Sequence, residues 1–332
     1  MNRPQHDFSA GIPAALDARR TFVTGWIEAG VFVLTIGFLG FAYVVGHQLG
    51  AHPVAFILYA MTVSAVAMLA ITGPGPEARA IVLAPQSWLI GFGTIGMELF
   101  YYWLLNYVPP ADGSLLARLM IPVAVAIGWI LFGRRPSNLT LAGAAVVCLG
   151  IIPVLAFIAP AHMLPVIMAT AGCVFAFNLR TFAGEVHPWN RSARTVMEKL
   201  RITGLVVLVT AVTGIAIAAV AAMLIGLNVV PAFAMMPTPA QMLHLPTILL
   251  GALVGSVIHT AMAFLSLSAV VKITSENFAA ATAFTPVATL VVQWIAGMLG
   301  LIPLFLVDAK LLTAMAIVIG GVFLMLRGAR RR

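Results

Sequence analysis

Glu28, Glu98, Arg118 and His259 each lie within a long run of apolar residues. Inside a membrane an ionisable side chain is costly unless paired or hydrated, so each is a candidate for function. Glu98 stands farthest from water, between Gln86 and Pro109, where no snorkelling reaches the interface. It can bind a substrate amine, exchange protons, or sit neutral against a neighbouring helix. Glu28 lies about 9 Å into its run at 1.5 Å per residue. It reads either as a protonatable group on a moving helix or as an interfacial acid paired with Arg19 or Arg20. Arg118 cannot shed its proton; near Asp112, it either snorkels outward or reaches inward to Glu98 or a substrate carboxylate. By helical rise the two lie at depths differing by roughly 9 Å, a gap that extended side chains span. Such a pair would hold the amine and carboxylate of a zwitterion.

Several weaker candidates surround these. His259 is either a ligand contact or a histidine bonded to a nearby hydroxyl, and Asn178, Gln293 and Arg180 read as interhelical hydrogen bonding, with Arg180 an interfacial anchor. Tyr102, with Tyr101, can share a helical face with Glu98 and wall off a cationic or planar substrate; an interfacial aromatic belt is the plainer role. Pro122 and Pro286 fall within apolar runs, where they release backbone carbonyls and are candidate hinges or simple kinks.

The elements that must position these groups follow from composition. Of 332 residues, 62% are hydrophobic and 8% charged, with a mean hydropathy of +1.07. A soluble surface needs roughly a quarter charged residues, so the expected class is an all-α, polytopic membrane protein. Runs of spanning length fall at about 22–46, 53–73, 86–108, 114–133, 139–160, 163–184, 202–227, 247–271, 277–300 and 308–326, giving ten helices. The connections at 47–52, 109–113, 161–162, 228–246 and 301–307 contain no Lys or Arg, while the alternate ones carry most of the basic residues. The positive-inside rule then puts both termini in the cytoplasm of a multi-pass inner-membrane protein. The net charge of +8 has the same origin, and no continuous basic surface for nucleic acid results.

An offset of 164 residues aligns Gly91–Gly133 with Gly255–Gly297. Gly91 meets Gly255, Asp112 meets Glu276, and Pro122-Val123-Ala124 meets Pro286-Val287-Ala288; Glu98 falls on Met262 and Arg118 on Thr282. After a seven-residue insertion, Leu149-Gly150 falls on Gly320-Gly321. The chain thus divides into a tail at 1–21, five-helix repeats at 22–160 and 161–327, and a basic tail at 328–332. An odd number of spans per half inverts the second repeat, an arrangement that recurs in secondary transporters with a site near the bilayer midplane.

The stretch ADGSLLARLMIPVAVAIGWILFGRRPSNLTLAGAAVVCLG and its partner ENFAAATAFTPVATLVVQWIAGMLG, followed by LLTAMAIVIGGVFLML, resemble the last two helices of each EamA repeat of the drug/metabolite transporter superfamily. The resemblance covers about 22–327. It implies ten helices, cytoplasmic termini, and a central cavity lined by the first, third, fourth, sixth, eighth and ninth helices. The long 228–246 connection and the Arg134-Arg135-Pro136 run depart from the pattern.

Gly91–Gly96 matches G-x-G-x-x-G but lies within an apolar run, where small-residue packing explains it. Cys148 and Cys173 form no metal or disulfide framework, and no catalytic motif is present. The expected function is secondary transport of a small polar or amphipathic metabolite, an amino acid or related zwitterion among them, outward through a central cavity, with protons as a candidate coupling ion and lipid as surroundings. No enzyme activity, cofactor or metal is implied. The alternative is a membrane scaffold or accessory subunit of a larger complex.

Overall fold

The computed structural model describes residues 11–156, 158–232, 236–303 and 308–329. Ten long helices follow in order: α1 Gly11–Gln48, α2 Pro53–Thr72, α3 Pro85–Leu104, α4 Pro110–Phe132, α5 Asn138–Ala156, α6 Pro160–Val186, α7 Val196–Gly226, α8 Leu245–Ile273, α9 Ser275–Met298 and α10 Ala309–Ala329. Among the described residues, nine of these are long and apolar enough to cross a membrane. The tenth, α3, has 20 residues, a length of about 30 Å, but Gln86, Ser87, Thr94 and Glu98 dilute its apolar character. The protein is an all-α, polytopic membrane protein.

Local chemistry sets the helix ends. Proline opens α2, α3, α4 and α6, where its missing N–H would have no partner in any case. Thr195 and Glu198 form a capping box at the start of α7, and Gly133, at φ 65°, closes α4 in the left-handed region. Short helices at Ala78–Leu83, Pro188–Ser192 and Pro239–Met242 occupy the three longest connections. Of the two expected tails, residues 1–10 and 330–332 lie outside the described residues. Residues 11–21 and 328–329 are helical, continuing the backbone ladders of α1 and α10.

The principal helix contacts come in matched pairs. Exchanging the halves turns α1 into α6, α2 into α7, and so on to α5 and α10, and each principal contact then finds its counterpart. α3 lies along α6 as α8 lies along α1; α1 meets α9 as α6 meets α4; α2 meets α8 as α7 meets α3; α2 pairs with α7 and α5 with α10. Glycines fix these crossings. A Cβ on Gly91 would fall 1.8 Å from Thr210 in α7, and one on its counterpart Gly255 would fall 2.3 Å from the Ala60 carbonyl in α2. In the α5–α10 pair, Gly143 rests on Gly321 and Gly150 rests on Ala314. Adding the seven-residue insertion to the offset carries 143 to 314 and 150 to 321, so the two contacts are images of one another.

Three helices are locally irregular. α4 tightens into a 3-10 turn at Ala117–Leu119 and α9 into one at Thr282–Phe284, one residue beyond the repeat offset, while α8 widens into a π-turn at Gly255–His259. Pro122 and Pro286 therefore do not break a regular helix midway, as their sequence position suggested. Each lies in the first turn of the segment that resumes after the 3-10 turn, at Met120–Phe132 and Thr285–Met298.

Candidate functional site

A cavity lies where the halves meet. It is walled by Leu39 and Tyr43 of α1, Glu98 and Tyr101 of α3, Ser114 and Arg118 of α4, Cys173 and Phe177 of α6, and Thr282 and Thr285 of α9. Five of the six helices implied by the resemblance contribute; α8 does not. The space open to the centres of water-sized molecules is about 40 Å³, room for a few waters and not for a metabolite. In this conformation the cavity is nearly closed.

Glu98 and Arg118 both line it, each only 3% exposed. The Tyr43 hydroxyl donates to Glu98 Oε2, whereas Oε1 has no hydrogen-bond partner among the described residues. Tyr43 itself is packed edge-on to Phe56 at 5.6 Å and Tyr102 at 5.9 Å. Arg118 donates from Nε to the Ser114 carbonyl at 2.8 Å, and from Nη1 to the Thr282 carbonyl and to Thr285 Oγ1 at 3.3 Å. The Thr282 carbonyl is the one that a residue at 286 would normally engage through its N–H, and proline has none. That carbonyl accepts the Thr285 amide of the 3-10 turn, and the missing N–H at Pro286 leaves its second site to the guanidinium.

These contacts correct two expectations. Arg118 does not snorkel, because its Nε and Nη1 donate to oxygens of α4 and α9 in the interior. It does not pair with Glu98 either: the ion pairs among the described residues join Arg134 to Glu185 and Glu276, and Lys272 to Glu28.

The other sequence candidates are dispersed. Glu28 sits toward the opposite end of α1, bonded to Lys272 at 2.5 Å and Ser268 at 3.0 Å, so its partner comes from α8 and not from Arg19 or Arg20. Tyr102 packs behind Tyr43, and it is Tyr101 that faces the cavity. Asn178 ties α6 to α4 through the Met120 carbonyl at 3.3 Å, an interhelical bond. His259 is fully buried in the π-turn, away from the cavity lining, and neither ring nitrogen has a partner among the described residues.

Two residues were passed over or misread. Tyr43 carries no charge and repeats at no diagnostic spacing, so nothing in the sequence distinguished it from a packing aromatic. Arg180 is no interfacial anchor: it is 4% exposed, donating to Ser266 Oγ at 2.6 Å and Met97 Sδ at 3.9 Å. Its signal was present in an Arg flanked by apolar residues within α6, but proximity to the helix end favoured the blander role.

On the side of the chain termini the halves are clamped. Arg134, just beyond α4, bonds Glu185 at the end of α6 and, at 2.7 Å, Glu276 at the start of α9; Glu185 also accepts from the Ser275 amide at 2.9 Å. Above this clamp Phe32, Phe177 and Phe278 are fully buried, Phe278 lying 4.8 Å from Phe32 and 6.1 Å from Phe177 between ring centroids.

A two-fold helical bundle enclosing a charged cavity at the junction of its halves is the architecture of a membrane protein with a central polar site. Residues 26–156 match the EamA-like transporter family. The matched span falls within the first of the two expected five-helix repeats. A solved structure described as a crystal structure of a protein superposes with a TM-score of 0.60 at 20% identity, covering 93% of this chain and 99% of its own; the likeness concerns the fold. No curated protein matches.

Proposed function

We propose that the protein is a secondary transporter that exports a small amphipathic organic metabolite by alternating access, from an inner membrane with both termini in the cytoplasm. The observation that carries this reading is the cavity itself, which draws its walls from both halves and places two ionisable groups at their junction. A protein needing only to pack would gain more from apolar side chains there, since burying charge costs several kcal/mol per ion. Inverted five-helix repeats supply the two exchangeable packings that alternating access requires. The aromatic cluster of Phe32, Phe177 and Phe278, together with the Arg134 clamp, closes the path on the side of the termini.

The test is efflux from reconstituted vesicles loaded with leucine or with 3-methylbutane-1-sulfonate, with and without a proton gradient. Saturable flux of either, lost in Glu98→Gln or Arg118→Gln, supports the reading. Flux no faster than from protein-free vesicles, together with a Cys173 thiol that no maleimide reaches from either side, would leave the chain a scaffold or accessory subunit.

A further inference from the structure

We propose that the cavity takes a monoanion, a small carboxylate-bearing molecule with an aliphatic or aromatic body held by its anionic group on Arg118, and not a zwitterion or an amine. The inference deepens the transport reading and rests on it for the role of the bound molecule as cargo.

Charge accounting comes first. Among the described residues, the fully buried formal charges are Glu98, Arg118 and Arg180. Arginine stays protonated in proteins, so with Glu98 ionised the set carries a net charge of +1. A buried group of that sign is stabilised by an anion and destabilised by a cation.

The allocation of partners comes second. Glu98 accepts the Tyr43 hydroxyl on Oε2, and Arg180, bonded to Met97 Sδ and Ser266 Oγ, lies behind the wall that Met97 forms beside it. Arg118 and Arg180 are both held by neutral atoms, and of the two it is Arg118 that faces the cavity. Its Nη2 makes no hydrogen bond among the described residues. One turn back, Ser114 Oγ lines the same cavity, is buried, and has no partner there. A guanidinium nitrogen and a hydroxyl on one face of a helix can together receive a carboxylate.

The rest of the lining fits the remainder of such a molecule. Ile36, Leu39, Met97, Tyr101 and Phe177 present apolar and aromatic surface, suited to a hydrocarbon body. The membrane potential supplies a direction as well. An inside-negative potential favours efflux of a monoanion by about 50-fold per 100 mV, so export needs no further coupling ion.

Three probes that share one hydrocarbon body separate the classes: 4-methylpentanoate, leucine and 3-methylbutylamine, each measured by its stabilisation of the purified protein against thermal unfolding. The expected order is 4-methylpentanoate binding at least 10-fold tighter than leucine, with no stabilisation by the amine. Arg118→Gln should lose the carboxylate by at least 10-fold, and Arg118→Lys should keep the preference for anions. Arg180→Met should free Glu98 and raise leucine to parity with 4-methylpentanoate or beyond. Equal or tighter leucine binding in the parent, stabilisation by the amine, or no stabilisation by any of the three overturns the proposal. Anion binding without efflux of 3-methylbutane-1-sulfonate would keep the site and overturn transport; leucine efflux with no anion preference would do the reverse.

Discussion

Arg118 and Pro286 are 168 residues apart yet meet at one oxygen, the Thr282 carbonyl, and this predicts an energetic coupling between them. Replacing Arg118 with Leu removes one of the carbonyl's two donors and leaves it only the 3-10 bond from the Thr285 amide. Replacing Pro286 with Ala restores an N–H that can close the ordinary helical bond to residue 282. The losses should therefore not add: Arg118→Leu/Pro286→Ala should be more stable than the sum of the single changes predicts. Interhelical hydrogen bonds in membrane proteins are worth about 0.6 kcal/mol on average and at most about 1.7. A charged donor belongs at the upper end of that range, but the Thr285 amide still satisfies the carbonyl in part, which gives an expected coupling of about 1 kcal/mol. Unfolding of the four proteins in mixed micelles, followed by circular dichroism against denaturing detergent, would measure it as a double-mutant cycle. Additivity within about 0.3 kcal/mol would mean that the proline does not leave that second site to the guanidinium.

Three other outcomes are expected. His187 accepts from the Asn190 amide at Nδ1 and lies 3.0 Å from Ser87 Oγ through Nε2, and burial pushes its pKa down to about 4 from 6.5; the folded state thus needs it neutral, and stability should fall by about 1.4 kcal/mol per pH unit as pH drops from 6.5 to 4, a slope that His187→Asn flattens. Gly321→Ala should destabilise the α5–α10 pair by about 1–3 kcal/mol because its Cβ would meet the Gly143 carbonyl at 2.7 Å, whereas Gly320→Ala, with nothing within 4 Å, should be neutral or slightly stabilising in thermal melts. In a background lacking Cys148 and Cys173, a cysteine at 112 should react with an impermeant external thiol reagent in whole cells and cysteines at 77 and 194 should not; the opposite pattern would overturn the orientation drawn from the basic residues.

Periodicity and spacing carried much of this fold. Ten apolar runs became ten helices, and the offset that joined Gly91 to Gly255 is the one that orders the helix contacts. Glu98 and Arg118 were legible as well, since a formal charge in an apolar run has few ordinary explanations. Their relation was not. Depth along a helix follows from residue count, but the direction of a side chain around the axis depends on local winding, and the 3-10 turn at Ala117–Leu119 rotates Arg118 toward α9. Arg180 was misread for a similar reason: its burial is created by Ser266 and Met97, on helices whose positions no local pattern specifies. Tyr43 gave no signal because a tyrosine in a membrane span has too many uses.

The bond from Arg118 to residue 282 joins two positions that the repeat makes equivalent, so it straddles the axis relating the halves. An axis of this kind has a single seat. Two guanidinium groups, one from each half, would have to share it, and their repulsion at that distance in low dielectric forbids the arrangement. The lopsidedness of the cavity is therefore a condition of symmetry at that point, and a Thr282→Arg exchange should be tolerated only when Arg118 becomes threonine, moving the same cation to the mirror side of the same seat.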